Sequence, residues 1–253
     1  MQVESSHYPE SVQKWLETPL GEALLRQEAR VVEEAFDGIF GEQCLQLGMW
    51  GEERSFLRFA RTQRSALIAE ANGARRPSAI GQLHRLPVED DSVDCVLLPH
   101  TLDYSDRPHE ILREADRVLT SHGQMIILGF KPGGLWGVRR LVPGAGLPPD
   151  AEGLINDRRL SDWLKLLDFR IHAVQRYFFR WPLPGLTGTA SPTWESRGRR
   201  WWPELAACYM LSAQKRVSTL TPVRPVWSRK PKVVAGLVET QTRVSRIRFE
   251  PND

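Results

Sequence analysis

Two residues with side chains suited to acid–base chemistry, His100 and Asp103, follow directly after an apolar segment. Residues 93–98 are almost continuously apolar, which is typical of a strand covered on both faces of a parallel sheet. Ligands of such sheets bind at the carboxyl edge, where the loop after this strand would lie. A histidine there can act as a general base, with Asp103 or Tyr104 as its helper. A single loop histidine also commonly has a structural role, so both interpretations stay open.

The three cysteines do not favour a metal or disulfide site. Cys44, Cys95 and Cys208 lie far apart in the sequence and form no CxxC pair. Each falls in a segment that we interpret as a strand. We therefore expect buried, reduced thiols and no metal site.

Length and composition indicate one α/β domain with a sizeable core. The chain has 253 residues, of which 41% are hydrophobic and 26% charged, values that are ordinary for globular proteins. It contains no run of about 18 apolar residues, which argues against a membrane span. The first residues lack the basic and apolar regions of a signal peptide, so we expect a cytoplasmic protein.

Charge is unevenly distributed along the chain. Residues 215–253 contain nine basic and three acidic residues, a net charge of +6, which leaves −3 for residues 1–214. Such a tail could bind nucleic-acid phosphates. Its charges are diffuse rather than clustered, so a solvated tail is the alternative. Its prolines predict an extended or disordered segment.

Hydrophobic periodicity predicts helices alternating with strands. The predicted helices cover residues 11–36, 52–61, 108–119 and 160–167, with a short helix around 136–141. The predicted strands cover residues 44–47, 66–69, 93–98, 124–130, 169–179 and 206–215. Only eight residues separate Glu70 from Ala79, too few for the usual helical crossover between parallel strands. A third strand is therefore either rudimentary or paired differently.

Four short motifs carry a resemblance to a known family. They are Leu86-Pro87, Asp91-Ser92-Val93-Asp94, His100-Thr101-Leu102 and the segment 112–119. Together they resemble the methyltransferase type 11 group of class I S-adenosylmethionine-dependent methyltransferases, over roughly residues 40–214. The resemblance implies a doubly wound, Rossmann-like α/β sheet in residues 42–215. An N-terminal helical lead-in, residues 1–41, would precede it, and a basic, proline-containing tail, residues 216–253, would follow.

The same resemblance implies a cofactor loop after the first strand. The family has an acid and then a Gly-x-Gly-x-Gly turn, whose glycines let the backbone approach the methionine part of the cofactor. This chain has Gln46 at the acid position, keeps Gly48, and has Trp50 and Glu52 at the other glycine positions. The Trp50 side chain could fill the space that methionine occupies. A tight strand–helix turn without a ligand is the other interpretation.

Further cofactor contacts are implied by position. Glu70, at the end of the second strand, would accept hydrogen bonds from the ribose hydroxyls, and Gln82 would face the adenine amino group. The helix that normally walls the adenine pocket is missing after Glu70. The implied catalytic residues are His100 and Asp103. The full set of implied cofactor-binding residues is Leu47, Gly48, Met49, Trp50, Glu70, Gln82, Leu83, Leu98, Pro99 and His100.

A long insertion, residues 180–203, is rich in tryptophan and arginine. It could serve as a lid over the acceptor, as a protein contact or as a membrane-interface segment. A loop whose tryptophans pack on their own core is the simplest alternative.

The sequence therefore predicts an S-adenosylmethionine-dependent methyltransferase whose most favoured partner is a small-molecule acceptor. The alternative is a pseudo-methyltransferase that acts as a non-catalytic binding or regulatory protein, favoured by Gln46, Trp50, Glu52 and the missing helix. An RNA-directed enzyme or binder, resting on the basic tail, is a third hypothesis.

Overall fold

The structure is a computed structural model. It describes residues 9–51, 56–70, 77–134, 136, 149, 151, 153–180 and 192–216. The predictions for the tail beyond Arg216 and for the short helix around 136–141, apart from Trp136, lie outside these residues.

Two helices precede the sheet instead of the single predicted one. Helix α1 spans Glu10–Leu16, and helix α2 spans Pro19–Phe36. The chain breaks between them because Thr18 caps the second helix: its Oγ1 accepts a hydrogen bond from the Gly21 N–H at 3.2 Å, and Pro19 occupies the first turn. The cap and the proline therefore start a second helix within the predicted one.

A seven-stranded sheet forms the centre of the molecule. Its strands are β1 (Phe40–Leu47), β2 (Arg61–Ala69), β3 (Ala79–Ile80), β4 (Val93–Pro99), β5 (Leu119–Phe130), β6 (Phe169–Tyr177) and β7 (Cys208–Lys215). Their order is β3-β2-β1-β4-β5-β7-β6. The first five strands in this order are parallel, and β7 runs antiparallel to both β5 and β6. The doubly wound fold expected from the resemblance is confirmed.

The segment between β1 and β3 differs from the prediction in two ways. The helix predicted over residues 52–61 is wrong in its described part, where a 3₁₀ turn at Leu57–Phe59 leads directly into β2. Strand β2 begins early because Arg61 pairs with Phe40, so β2 extends along the whole of β1. The third strand is rudimentary: Ala79 and Ile80 pair in parallel with the end of β2.

Among the described residues, three helices follow β4 in the sequence: α3 (Pro108–Val118), α4 (Asp157–Leu166) and α5 (Pro192–Trp201). Short 3₁₀ turns occur at Thr101–Tyr104 and Pro203–Leu205. Within the described ranges, no helix has the length and apolar character needed to cross a membrane.

Apolar side chains cover both faces of the sheet. Alternate residues of β4 face opposite ways, with Cys95 and Leu97 in one core cluster and Val96 and Leu98 in the other. The first cluster contains the buried side chains of α1 and α2, and the second contains those of α3 and α4. The predicted N-terminal lead-in therefore packs into the core of the sheet domain.

Candidate functional site

The carboxyl ends of β1, β2 and β4 lie side by side. Leu47 pairs with Ile68, and the Gly48 N–H donates a hydrogen bond to the Ile68 carbonyl at 2.8 Å. The Thr101 hydroxyl donates to the Leu47 carbonyl. The loops that leave these strands are thereby held at one edge of the sheet, where doubly wound folds bind their ligands.

The loop after β1 is a tight turn with glycine at both ends. Gly48 has φ +90° and Gly51 has φ +73°, backbone conformations that favour glycine. The Gln46 side-chain amide donates to the Gly48 carbonyl at 3.0 Å. Between the glycines, the Met49 and Trp50 side chains are buried. We call residues 48–51 the cofactor loop, because the family resemblance implies that role for them.

The Trp50 indole lies across the ends of the neighbouring strands. Its ring centroid is 4.4 Å from that of His100 and 5.9 Å from that of Phe130, at the end of β5. Its Nε1–H donates to Glu28 Oε2 at 2.8 Å, and no part of the side chain reaches solvent. The indole therefore fills the space directly above the ends of β4 and β5.

His100 is held between two buried carboxylates. Its Nδ1 lies 3.0 Å from Asp103 Oδ2, and its Nε2 lies 2.7 Å from Glu28 Oε1. Burial of the ring disfavours its charged form, but the two carboxylates outweigh this effect and raise the pKa of His100 to about 9. The imidazole is therefore protonated at neutral pH, and both ring N–H groups donate to carboxylates.

A protonated histidine with both nitrogens engaged has no lone pair that can accept a proton. In this arrangement both ring nitrogens of His100 lie against carboxylates and the ring fixes the start of the loop after β4, while its role as general base stays a prediction. His100 itself has φ +55°, a left-handed conformation. The contacts on both sides of the imidazole ring keep the His100 backbone in this conformation.

Asp103 is the second predicted catalytic residue, and it is also buried. Besides His100, its Oδ2 accepts a hydrogen bond from the Phe130 backbone N–H at 3.0 Å. Burial raises the pKa of Asp103, an effect that His100 and backbone donors oppose. Asp103 therefore links the loop after β4 to the end of β5.

Glu28 is a residue that sequence reasoning missed. It lies on α2 and is fully buried on the apolar face of the helix, beside Leu24 and Val31. One signal could have identified it: a carboxylate that interrupts an apolar stripe at helical spacing must find a buried partner. The sequence does not reveal that the partners are Trp50 and His100, because they are brought near by tertiary packing.

The remaining predicted cofactor residues fall into two groups. Leu47, Leu83 and Leu98 are buried in a single apolar cluster below the edge, and Pro99 is buried at the end of β4. Glu70 is partly exposed at the end of β2, and Gln82 is exposed. The Gly81 N–H donates to the Ala69 carbonyl at 3.1 Å, which brings the segment containing Gln82 beside the end of β2.

Two other predictions concern a metal site and the insertion at residues 180–203. In the described part of the chain, no group of three or more His, Cys, Asp or Glu side chains is arranged to hold a metal ion. Within the predicted insertion, Trp201 and Trp202 are 68% and 55% exposed, whereas Glu195 is buried and accepts a hydrogen bond from the Phe179 N–H at 3.1 Å. Residues 181–191 lie outside the described ranges, so the predicted lid is not tested.

Comparison with known proteins gives consistent matches. Residues 55–127 match a family model described as "Methyltransferase domain". A protein of Escherichia coli (strain K12), described as "Uncharacterized protein YafS", is 33% identical over 169 residues, which are 66% of this chain and 69% of that protein.

Solved structures share the fold at low sequence identity. A SAM dependent methyltransferase from Archaeoglobus fulgidus is 18% identical with a TM-score of 0.55, over 80% of this chain and 97% of that one. A geranyl diphosphate methyltransferase in complex with SAM is 14% identical with a TM-score of 0.52, over 79% of this chain and 92% of that one.

Proposed function

Because this chain belongs to the class I S-adenosylmethionine-dependent methyltransferase family, we propose that it methylates a small-molecule acceptor at the edge formed by β1, β2 and β4. S-adenosylmethionine is the cofactor of this family. Bound, it supplies an electrophilic methyl group on a sulfonium. The rest of the proposal concerns what this chain's own residues do.

One observation carries the proposal: Gly48 and Glu70 lie on the ends of adjacent strands. The hydrogen bond from Gly48 to Ile68 fixes the cofactor loop two residues before Glu70. A glycine turn beside an acid at the next strand end is the arrangement that the family uses to bind the methionine and ribose parts of its cofactor. This juxtaposition supports a binding site that runs from β1 to β2.

The ribose end of the edge fits the cofactor. Glu70 is partly exposed at the end of β2. A carboxylate accepts hydrogen bonds from two vicinal hydroxyls without needing a charged ligand. Gln82 is exposed close to the end of β2, so its amide supports a contact with the adenine next to the proposed ribose contact of Glu70.

The methionine end does not fit the cofactor in the arrangement described, because the Trp50 indole fills that space. A suitable polar group is nevertheless present there. The Gln46 Oε1 atom is buried, and among the described residues it has no hydrogen-bond partner. An acceptor of this kind beside Gly48 suits the ammonium group of an amino acid.

The described residues support catalysis by positioning. Since His100 is engaged on both sides, it orients the loop after β4. The rings of Tyr104 and Phe130 lie 6.0 and 5.9 Å from that of Trp50 and offer an apolar wall beside the space that the indole fills. Alignment of an acceptor with the sulfonium contributes much of the rate of such transfers.

We also propose that the enzyme acts in the cytoplasm. Cys44, Cys95 and Cys208 are buried as free thiols, which is the usual state of cysteine in a reducing compartment. Cys44 and Cys95 remain thiols although they pair directly across β1 and β4. Fractionation of cells that express the chain would test this location.

Replacing Glu70 with alanine tests the ribose contact. We expect S-adenosylhomocysteine to bind about ten- to a hundredfold more weakly to Glu70→Ala, because hydrogen bonds to a charged acceptor are lost. Calorimetric titration measures the change. Glu42→Ala is the matched control, since Glu42 is an exposed carboxylate on β1 near the opposite end of that strand. Equal affinities of the native chain and Glu70→Ala would contradict the proposed site.

A further inference from the structure

The N-terminal helices contact three consecutive residues of the cofactor loop. The Gln13 amide of α1 donates to the Met49 carbonyl at 3.3 Å. Glu28 of α2 accepts the indole N–H of Trp50. The Leu25 side chain of α2 lies 2.9 Å from where a β-carbon on Gly51 would stand, so helix and loop backbone pack closely.

A single carboxylate joins these helices to the reacting edge of the sheet. Glu28 Oε2 accepts from Trp50, and Glu28 Oε1 lies 2.7 Å from His100 Nε2. The Tyr177 hydroxyl donates to the same Oε1 at 3.4 Å. All four side chains are fully buried. A carboxylate this deeply buried is stable only while its hydrogen-bond partners remain in place. We therefore expect Glu28, Trp50, His100 and Tyr177 to keep or lose these contacts together.

The position of the indole matters for the ligand. Trp50 follows Gly48 by two residues, and its ring reaches His100 and Phe130. A methionine chain that ran along Gly48 toward the end of β4 would need the space that the indole fills. On that path the cofactor and the indole would exclude each other in this arrangement.

We propose that Trp50 and Glu28 form a latch that closes the methionine end of the site, and that the indole must leave Glu28 before the cofactor can bind. The inference rests on the proposed function, since it concerns the regulation of that site. Gly48 and Gly51, both with positive φ, bound the segment that would move. The latch lowers the apparent affinity for the cofactor by the fraction of molecules that are open.

The variant Trp50→Phe tests the latch. Phenylalanine retains an aromatic ring but has no N–H for Glu28, so the closed state loses one hydrogen bond to a charged group. Trp136→Phe is the matched control: Trp136 is also buried, and its Nε1–H donates to the Arg180 carbonyl at 2.8 Å. Both variants lose an indole and its hydrogen bond, which is buried for Trp50 and partly buried for Trp136, but only Trp50 lies in the cofactor loop.

Two ligands separate the two ends of the site. S-adenosylhomocysteine carries the amino-acid part, whereas methylthioadenosine carries the adenosine part without it. We expect Trp50→Phe to bind S-adenosylhomocysteine about ten- to a hundredfold more tightly than the native chain, with an unchanged affinity for methylthioadenosine. Trp136→Phe should match the native chain with both ligands. Calorimetry gives the four dissociation constants.

Glu28→Gln provides a second test that keeps the side-chain shape. The amide weakens the hold on the indole and removes the charge beside His100, so the affinity for S-adenosylhomocysteine should also increase. If Trp50→Phe and Glu28→Gln both bind S-adenosylhomocysteine no more tightly than the native chain does, the latch is overturned while the proposed function stands. Absence of binding to the native chain and to all variants would overturn both.

Discussion

At the scale of single residues, the site is organised by a protonated histidine between two buried carboxylates. Glu28 and Asp103 hold the pKa of His100 at about 9, above its ordinary value of 6.5, in spite of burial. A histidine whose pKa is raised by folding contributes stability that is fully present below the unfolded pKa. That contribution is lost as the pH rises through the folded pKa. The window here is about pH 6.5 to 9.

We therefore expect the free energy of unfolding of the native chain to decrease between about pH 6.5 and 9. Urea denaturation at several pH values measures it. His100→Gln should lose most of this decrease, because it removes the titrating group. His172→Gln, which changes an exposed histidine bonded to Gln214, should retain it. If His100→Gln shows the same pH dependence of stability as the native chain, His100 is not the group that causes it.

The family resemblance implied Gly48, Trp50, Glu70 and His100 as site residues through its motifs. It could not supply Glu28: that residue interrupts the apolar face of α2, but its partners lie 22 and 72 residues away in sequence and are not evident from the pattern. It also gave His100 the role of a base. Only the positions of Glu28 and Asp103 show that both ring nitrogens are engaged.

At the scale of elements, most strand and helix positions follow from periodicity and the doubly wound sheet from the family resemblance, whereas the segment before β2 follows from neither. The apolar residues Phe56, Leu57 and Ala60 have helical spacing, but the chain forms only a 3₁₀ turn there. Pairing of Arg61 with Phe40 begins the strand immediately afterwards. Tertiary pairing therefore overrides local preference at this point, as is common for short segments.

The cap at the start of α2 should contribute measurably to the stability of the protein. Thr18→Ala removes the acceptor for the Gly21 N–H and should destabilise the protein by about 1 kcal/mol. Thr18→Ser keeps the hydroxyl and should retain most of the stability. Thermal or urea denaturation of the two variants measures the difference. Equal losses for alanine and serine would show that the cap does not stabilise this helix.

At the scale of the whole molecule, the N-terminal helices are part of the site as well as of the core. The sequence predicted them as a lead-in separate from the sheet domain, since nothing local connects residues 10–36 to the cofactor loop. In the structure, Gln13, Leu25 and Glu28 contact that loop directly. The fold thus places the loop after β1 and the helix pair that contacts it at one edge of the sheet.

Calorimetric titration of the native chain with S-adenosylmethionine tests the central claim most directly. We expect binding in the micromolar range, a free energy of about −8 kcal/mol, with methylthioadenosine competing for the same site. Absence of heat and of competition up to millimolar ligand would contradict the claim that this edge binds the cofactor. That result is the one expected of a protein that retains the fold as a non-catalytic binding partner.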